Sequence, residues 1–585
     1  GWLACTVAPS PCGDPERSPP EPSPLPERVS GGSAPSSRSP SPCVGLPDRR
    51  DFLRTLGAVA VAGCAPAQMP LPPGELLGMS HALGHRLRDG NFPEPEETRK
   101  AEVVIAGGGV SGLAAAWRLA KAGSEDFLVL EMEAETGGNS RSGASPLVAY
   151  PWGAHYLPLP TRESRAVREL LAEIGTLTGD PDAERPLYDE NRLCATPQER
   201  VFRNGLWEDG LLPRIGVDAD ERAQQRRFQE TMEGLKAACG QDGRRAFAIP
   251  MELSSRDPRW LALDRISFGR WLEEQGFTAP TLRWLADYAC RDDYGLRADQ
   301  TSAWAGLHYF ACRNGQAANA AGDSVLTAPD GNGWLVRGLA RRAAGRIATG
   351  ALVWRVREGR HEVEIDCWLP AENRSCRYLA RQLIWAAPVF LLPRVWNAMP
   401  AGPRAAALAG DYAPWLVANL HLADFPEERR GAPPAWDNVL YECQGLGYVV
   451  ATHQLIRRRL PGTVFTYYRA FTDETPSEAR RRLLETPRET WAEGILGELE
   501  RVHPDLRRHV TRLDVFRHGH AMRRPIPGSL WGAGRQALAA WSSPRIKLAH
   551  ADLSGFSLFE EAQYRGVKAA EQVLRSAGKR FPTAL

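Results

Sequence analysis

A glycine-rich turn at residues 107–112, with the sequence Gly-Gly-Gly-Val-Ser-Gly, is the first feature whose residue types and spacing indicate a chemistry. A short apolar run at 102–106 precedes it, and a helical pattern follows it as far as Gly123. A second apolar run at 127–130 then ends at Glu131. The order strand, G-x-G-x-x-G, helix, strand and acid is the fingerprint of a dinucleotide site.

Each position in this fingerprint has a physical role. Gly107 permits the tight turn, Gly109 lets the backbone approach a pyrophosphate, and Gly112 allows a helix and a strand to pack closely. The N-terminus of the following helix offers free N–H groups and the positive end of its dipole to phosphate. Glu131 is placed to accept hydrogen bonds from ribose hydroxyls, and its charge disfavours a 2′-phosphate.

Further segments extend the pattern beyond what a nicotinamide site needs. A second glycine pair, in Gly-Gly-Asn-Ser-Arg-Ser at 137–142, follows Glu131, and an aromatic stretch comes next at 150–156. Near the other end of the chain, the segment 545–552 reads as a strand that ends at Asp552 and precedes a helical pattern. Together these segments resemble the flavin-containing amine oxidase superfamily, which also includes desaturases and porphyrinogen oxidases.

The resemblance implies FAD as the cofactor and gives roles to residues of this chain. Asp552 would contact the ribityl chain or the pyrophosphate, and Val353 matches a valine that touches the adenine. The helix N-terminus at Leu558 and Phe559 would face the flavin ring, where its dipole stabilises negative charge. The FAD-binding residues predicted from motif and resemblance together are Gly107, Gly109, Val110, Ser111, Gly112, Glu131, Gly138, Asn139, Ser140, Arg141, Val353, Asp552, Leu558 and Phe559.

The resemblance also implies a fold and a domain organisation. We predict an α/β fold in which a FAD/NAD(P)-binding Rossmann-like domain, with a parallel sheet in three layers, is interleaved with an α+β substrate domain. Residues 101–200, 325–400 and 515–580 would form the FAD-binding domain. Residues 201–324 and 401–514 would form the substrate-binding domain.

The first hundred residues are predicted to contain a leader, an export signal and a linker rather than part of the folded domains. Residues 1–48 are rich in Pro, Ser, Gly and charges and are predicted to be a disordered leader. Residues 49–67 begin with paired arginines before a short apolar run, which resembles a twin-arginine export signal, and 68–100 are predicted to be a linker. Cys64 follows a lipobox-like sequence, whereas 65–67 is an Ala-Pro-Ala cleavage site, and both alternatives stay open. We therefore expect a periplasmic protein or a membrane-anchored lipoprotein.

The overall composition excludes several classes of function. A net charge of +2 over 585 residues provides no concentrated basic surface, so no nucleic-acid partner is predicted. No apolar run reaches the roughly 18–20 residues that a membrane-spanning helix needs. No C-x-x-C sequence or Cys/His cluster has zinc spacing, so no metal site is predicted.

The chain departs from the resembled family at positions that bear on chemistry. Many amine oxidases hold a lysine near flavin N5, but this chain has no lysine between Lys236 and Lys547. Relatives that oxidise small amines carry an aromatic residue before the last helix, where this chain has Leu558. His518 lies where a tryptophan is usual. Two substrate types therefore stay open, an amine and a CH–CH unit that undergoes desaturation.

Three residues are the candidates for substrate chemistry: His155, His520 and Tyr309. The two histidines belong to motifs that reach the flavin in the resembled family. The expected function is that of an exported FAD-dependent oxidoreductase, which transfers a hydride from a small-molecule substrate to the flavin. Dioxygen or another acceptor would then take the electrons. The alternative is a non-catalytic flavin-binding or scaffold protein of the cell envelope.

Overall fold

Two large β-sheets organise residues 69–585, which are the residues that the computed structural model describes. The predicted leader (1–48) and export signal (49–67) lie outside this range. One sheet is mainly parallel and the other is mainly antiparallel. The architecture is α/β with a Rossmann-like domain, so the predicted fold class is confirmed.

The first sheet contains the glycine-rich turn at the end of its central strand. Residues 103–106 of this strand pair in parallel with Phe127–Leu130 on one side and with 382–385 on the other. An antiparallel hairpin extends one edge of the sheet. The strands are Glu97–Ala106, Phe127–Leu130, Ile347–Ala348, Leu352–Glu358, Val363–Leu369, Arg374–Trp385 and Ile546–Leu548.

Helices cover both faces of this sheet, which gives the predicted three layers. Because successive side chains of a strand point to opposite faces, Val103 and Ile105 pack on one helical layer while Val104 and Ala106 pack on the other. The layers contain Val110–Lys121 and Phe559–Ser576 on one face, and Leu392–Val395, Ala401–Leu408 and Ala533–Ala540 on the other.

The second sheet is built largely from the predicted substrate-binding segments. Its longest strand, Val510–Arg523, crosses the domain boundary that the sequence predicted at residue 515. The strand stays in this sheet because Leu513 and Phe516 both pair with Tyr412–Leu422. In spatial order the strands are Leu76–Gly78, Val510–Arg523, Tyr412–Leu422, Thr463–Ala470, Tyr448–Val450, Asp437–Leu440, Glu199–Arg203 and Leu206–Asp209.

Residues 69–96 contain regular structure and so differ from the predicted linker. Leu76–Gly78 forms the edge of the second sheet, where it pairs in parallel with Val510–Arg523 and satisfies backbone groups that this longer strand would otherwise expose. The helix His81–Asp89 follows. Just before it, the backbone N–H and the hydroxyl of Ser80 both donate to the carboxylate of Glu133, at 2.9 Å each.

The remaining elements surround the two sheets. Between residues 69 and 585, no helix combines the length and hydropathy needed to cross a membrane. The other helices are Arg165–Glu173, Ala219–Ala237, Pro258–Leu261, Phe268–Glu274, Pro280–Tyr294, Ala303–Ala311, Gly333–Ala340, Pro476–Glu485, Arg488–Leu499 and Leu506–His509. Short strand pairs join Ser142–Ala144 to Ala149–Pro151, Tyr156–Pro158 to Val325–Thr327, and Leu177–Thr178 to Leu187–Tyr188.

Two helices cross at very short range beside the glycine-rich turn. A Cβ atom on Gly566 of Phe559–Ser576 would overlap the carbonyl oxygen of Ser111. The Ser111 hydroxyl donates to the carbonyl of Ala562 at 2.9 Å, which ties the first turns of both helices together. This contact therefore requires a glycine, and it brings the two helix N-termini close to one another.

We expect Gly566→Ala to destabilise the protein by about 1–3 kcal/mol, because the added methyl group forces the two helices apart. The matched control is Gly494→Ala, in the middle of Arg488–Leu499, where an added Cβ meets nothing within 4 Å. There the same substitution should stabilise the protein by up to about 1 kcal/mol through helix propensity. Thermal unfolding of both variants checks this, and equal effects would contradict the close crossing.

Candidate functional site

A cavity of about 820 Å³ lies at the carboxyl ends of the parallel strands of the first sheet. Open α/β sheets bind their ligands at this edge. Most of the residues predicted to bind the cofactor line this long cavity. They are Gly107, Gly109, Val110, Ser111, Glu131, Gly138, Asn139, Ser140, Val353, Asp552, Leu558 and Phe559.

Gly112 and Arg141 are the two predicted cofactor residues that do not line the long cavity. A Cβ on Gly112 would overlap the carbonyl oxygen of Gly107, so this glycine serves the close packing of helix on turn. The Arg141 guanidinium lies 3.5 Å from the carboxylate of Glu133 and 5.4 Å from the ring centre of Phe516. Arg141 thus contacts Glu133, which lines the cavity, without lining the cavity itself.

Two uncapped helix N-termini face the long cavity. Helix Val110–Lys121 begins after Gly109, and helix Phe559–Ser576 begins after Leu558. Neither Gly109 nor Leu558 has a side chain that accepts a hydrogen bond from the first turn of its helix. The free N–H groups of both first turns are therefore available to an anionic ligand.

Two carboxyl groups in the long cavity also fit a dinucleotide. Glu131 accepts backbone hydrogen bonds from Gly108 at 2.6 Å and from Glu133 at 2.8 Å, which hold it at the turn. Asp552 accepts the Tyr412 hydroxyl at 2.7 Å through Oδ2, while its buried Oδ1 has no partner among the described residues. A ribityl or ribose hydroxyl would satisfy such an oxygen.

Asp552 stays ionised although it is buried. Burial by itself raises the pKa of this carboxyl group, but the net effect is a pKa well below the usual value. The attraction of His550 is the main cause, since its Nδ1 lies 3.1 Å from Oδ2. An ionised carboxylate with one free oxygen is a strong hydrogen-bond acceptor for a ligand hydroxyl.

The helix His81–Asp89 lines the long cavity, which the sequence analysis missed. His81, His85 and Arg88 all line the cavity, together with Arg480 from Pro476–Glu485. The i,i+4 spacing of the two histidines, which places them on one helix face, was the only available signal. Residues 68–100 were predicted to be a linker, so neither this helix nor its place at the cavity was predicted. The local sequence pattern does not show where in the fold such a helix packs.

A second, inner cavity of about 150 Å³ adjoins the long cavity. The wall between the two contains the start of the last helix and the end of the long strand Val510–Arg523. The residues that line both cavities are Asn139, Ala154, His518, Ala521, Ser557, Leu558 and Phe559. A ligand that fills the long cavity would therefore present one end to the inner cavity.

His518 in this wall is a neutral side chain with one free nitrogen. Its Nε2 bonds to the carbonyl oxygen of Trp152 at 2.6 Å, so Nε2 carries the proton. Its buried Nδ1 has no hydrogen-bond partner within residues 69–585. Burial lowers the pKa of His518 to about 4. The imidazole therefore offers an acceptor lone pair rather than a positive charge.

The three predicted catalytic residues lie in different places. His155 lines the inner cavity, where its ring stacks on Tyr468 at 4.5 Å and burial lowers its pKa to about 4. His520 lines the long cavity and packs on Phe390 at 5.0 Å. Tyr309 is buried behind the inner cavity and does not line it. Only His155 of the three thus lines the inner cavity.

The inner cavity contains more acidic than basic side chains. Asp292, Asp293 and Glu560 line it, and Arg313 is the one guanidinium among its described lining residues. Arg313 Nη2 lies 2.8 Å from both carboxylate oxygens of Asp293, so this pair is neutral. Burial raises the pKa of Asp292 to about 7, helped by repulsion from Asp293, and burial raises the pKa of Glu560 to about 7 as well. No lysine lines either cavity.

The comparisons agree with the architecture. The family described as an NAD(P)-binding Rossmann-like domain matches residues 105–174. None of the curated proteins matches the sequence. Solved structures with similar coordinates include a putrescine oxidase bound to putrescine, which has a TM-score of 0.60 and 16% identity and aligns over 82% of this chain and 100% of its own.

Two more solved structures extend this similarity. Cyclohexylamine oxidase from Brevibacterium oxydans IH-35A has a TM-score of 0.58 and 15% identity, with 82% of this chain and 100% of that one covered. A CLA-producing fatty acid isomerase from P. acnes has a TM-score of 0.54 and 14% identity, with 81% and 98% covered. The chain has the fold of these proteins.

We expect Gly109→Val to abolish cofactor retention in this Rossmann-like domain while the protein still folds. The φ angle of Gly109 is −72°, which any residue adopts, and an added Cβ would meet nothing closer than Gly138 Cα at 4.0 Å. The new side chain would instead project into the long cavity, where the backbone must approach the pyrophosphate.

Circular dichroism and the absorbance of bound dinucleotide after gel filtration measure the two effects separately. A folded protein that no longer retains a dinucleotide is the expected result. A folded variant that retains a dinucleotide as the wild-type protein does would contradict the assignment of the long cavity.

Proposed function

We propose that this protein binds FAD in the long cavity and an amine in the inner cavity. The amine would enter as an ammonium ion, give its proton to a neighbouring carboxylate such as Asp292, and then lose a hydride equivalent as the neutral amine. The observation that carries the proposal is the charge of the inner cavity, where Asp292 and Glu560 form no ion pair with any residue in 69–585 and the nearby Asp293–Arg313 pair is neutral. A cationic substrate would supply the missing positive charge. The fold shared with two amine-oxidising proteins supports the same substrate type.

The residues of the long cavity would hold FAD along its length. Glu131 would accept ribose hydroxyls, Gly109 would allow the pyrophosphate to approach, and Asp552 Oδ1 would accept a ribityl hydroxyl. The first turn of Phe559–Ser576 would direct its N–H groups at the end of the ligand. When bound, FAD supplies the acceptor for a hydride equivalent and a route for electrons to dioxygen or another acceptor.

The residues of the inner cavity would orient the amine. His155 and His518 are neutral, since burial holds the pKa of each at about 4, so neither repels a protonated amine. The stacked rings of His155 and Tyr468 form an aromatic wall on one side. This wall would exclude water in place of the family's aromatic residue, whose position Leu558 occupies.

Anaerobic mixing of the purified yellow protein with primary amines tests the proposal. Loss of flavin absorbance with an amine is the expected result. A long-chain fatty acid serves as the comparison substrate, because the other open chemistry acts on a CH–CH unit. If only the fatty acid bleaches the flavin, the proposed function would be desaturation rather than amine oxidation. A stable yellow colour with every compound would favour the non-catalytic flavin-binding alternative.

The Michaelis constant for a small monoamine should fall as pH rises from 6 to 8. Asp292 and Glu560, each with a pKa of about 7, are neutral below this pH and ionised above it, whereas the amine stays protonated throughout. One such ionisation changes the ionised fraction about tenfold across this range. Asp292→Asn should therefore reduce the pH dependence of the Michaelis constant, and the dependence that remains would be due to Glu560. A profile that the substitution does not change would exclude Asp292 from amine binding.

We also propose that the protein is exported by the twin-arginine route after its cofactor has bound. The support is the sequence of residues 49–67, with its paired arginines and short apolar run. Arg49→Lys combined with Arg50→Lys should leave the protein in the cytoplasm, as cell fractionation would measure. Arg54→Lys, in the same segment, is the control and should be exported normally. Mass spectrometry of the exported protein would show whether Cys64 carries lipid or cleavage follows Ala67.

A further inference from the structure

A small back pocket adjoins the inner cavity on the side away from the long cavity. Its volume is about 30 Å³, and three carboxyl side chains line it: Glu199, Asp292 and Asp437. They come from three different elements, the strands Glu199–Arg203 and Asp437–Leu440 and the helix Pro280–Tyr294. The residues that line both the back pocket and the inner cavity are His155, Tyr156, Asp292 and Tyr468.

Within residues 69–585, no cationic side chain forms an ion pair with any of the three carboxyl groups. Arg313 is already bound to Asp293 at 2.8 Å. Burial raises the pKa of Glu199 to about 7. It raises the pKa of Asp437 well above the usual value, and repulsion by Asp292 and Glu199 adds to the rise. Such groups are costly to bury unless a ligand completes the site.

Tyr288 provides a second, independent sign of a ligand. Its side chain lines the back pocket and is 5% exposed. Its ring stacks on Trp284, with centroids 5.6 Å apart, and its hydroxyl makes no hydrogen bond to a residue in 69–585. A buried hydroxyl normally has a partner, so a ligand atom is the expected partner in the pocket.

The size and composition of the back pocket restrict the ligand. A volume of about 30 Å³ holds one small head group but not a ring or a carboxylate-bearing chain. Three unpaired acids would repel the carboxylate of an amino acid. Among the described residues, no group of three or more His, Cys, Asp or Glu side chains has the geometry to hold a metal ion. An organic ammonium group satisfies all of these limits.

We propose that the back pocket binds the second ammonium group of a diamine or polyamine whose first amine lies in the inner cavity. Glu199, Asp292 and Asp437 would accept its N–H groups, together with the free hydroxyl of Tyr288. His155 and Tyr468, which line both spaces, would flank the carbon chain between the two nitrogens. This inference rests on the proposed amine oxidation and names the substrate class of the same site.

Calorimetric titration of the flavin-loaded protein with 1,4-diaminobutane and with 1-aminobutane tests the pocket. The flavin is first reduced with dithionite, so that no turnover contributes heat. The diamine should bind the wild-type protein about tenfold or more tightly than the monoamine, which is the effect of one charge-assisted hydrogen bond. Asp437→Asn should bring this ratio close to one, and Tyr288→Phe should lower it without any change in charge.

Asp209→Asn is the matched control, because Asp209 is an exposed carboxylate in the same sheet that does not line the pocket. It should keep the wild-type ratio. Equal binding of the two amines to the wild-type protein would overturn the proposal, and so would an equal loss of the ratio in the Asp209 and Asp437 variants. Flavin reduction by the monoamine is measured separately, so failure of the back pocket is distinguishable from failure of amine oxidation.

Discussion

The close approach of backbone at three glycines is the constraint on which the rest of the structure depends. Gly107 adopts φ of 109° at the end of the central strand, and an added Cβ there would lie 2.8 Å from the backbone nitrogen of Ala387. Gly112 packs against Gly107, and Gly566 packs against Ser111. Because no side chain separates these segments, two helix N-termini reach the same edge of the parallel sheet. Their free N–H groups then face one cavity, which is where a phosphate-bearing ligand is best stabilised.

Charge distribution decides what the neighbouring spaces can hold. The long cavity combines uncapped helix N-termini with basic side chains, among them Arg88 and Arg480, and so suits an anionic dinucleotide. The inner cavity and the back pocket are acidic instead, with Asp292 shared between them. An anionic cofactor next to a cationic substrate, as proposed above, would be electrostatically favourable at short range. This difference in charge would separate the two proposed binding sites, although they share a wall.

The structure shows where the chain's departures from the resembled family lie relative to the two cavities. Neither cavity is lined by a lysine, and Leu558 lies in the wall that the long and inner cavities share. The polar groups of that wall include the neutral His518 with its free Nδ1, and the neutral His155 lines the inner cavity nearby. Substrate selection in this protein would therefore depend on carboxyl groups deeper in the chain's second sheet and helical layer, rather than on a cation beside the cofactor.

Local sequence by itself predicted the dinucleotide turn and its acid Glu131, because these depend on short spacings within a strand–turn–helix unit. The α/β class and the role of Asp552 were implied by the resemblance to a known family. Only the tertiary structure decided that Glu199, Asp292 and Asp437 meet in one pocket, since they come from two strands of the second sheet and from the helix Pro280–Tyr294, which are far apart in sequence. It also assigned Leu76–Gly78 to the edge of the second sheet and His81–Asp89 to the cofactor side. Strand pairing and burial depend on long-range packing, which residue spacing does not encode. The effect of an unpaired carboxyl group on a site can be judged only once its burial is known, because burial shifts its pKa.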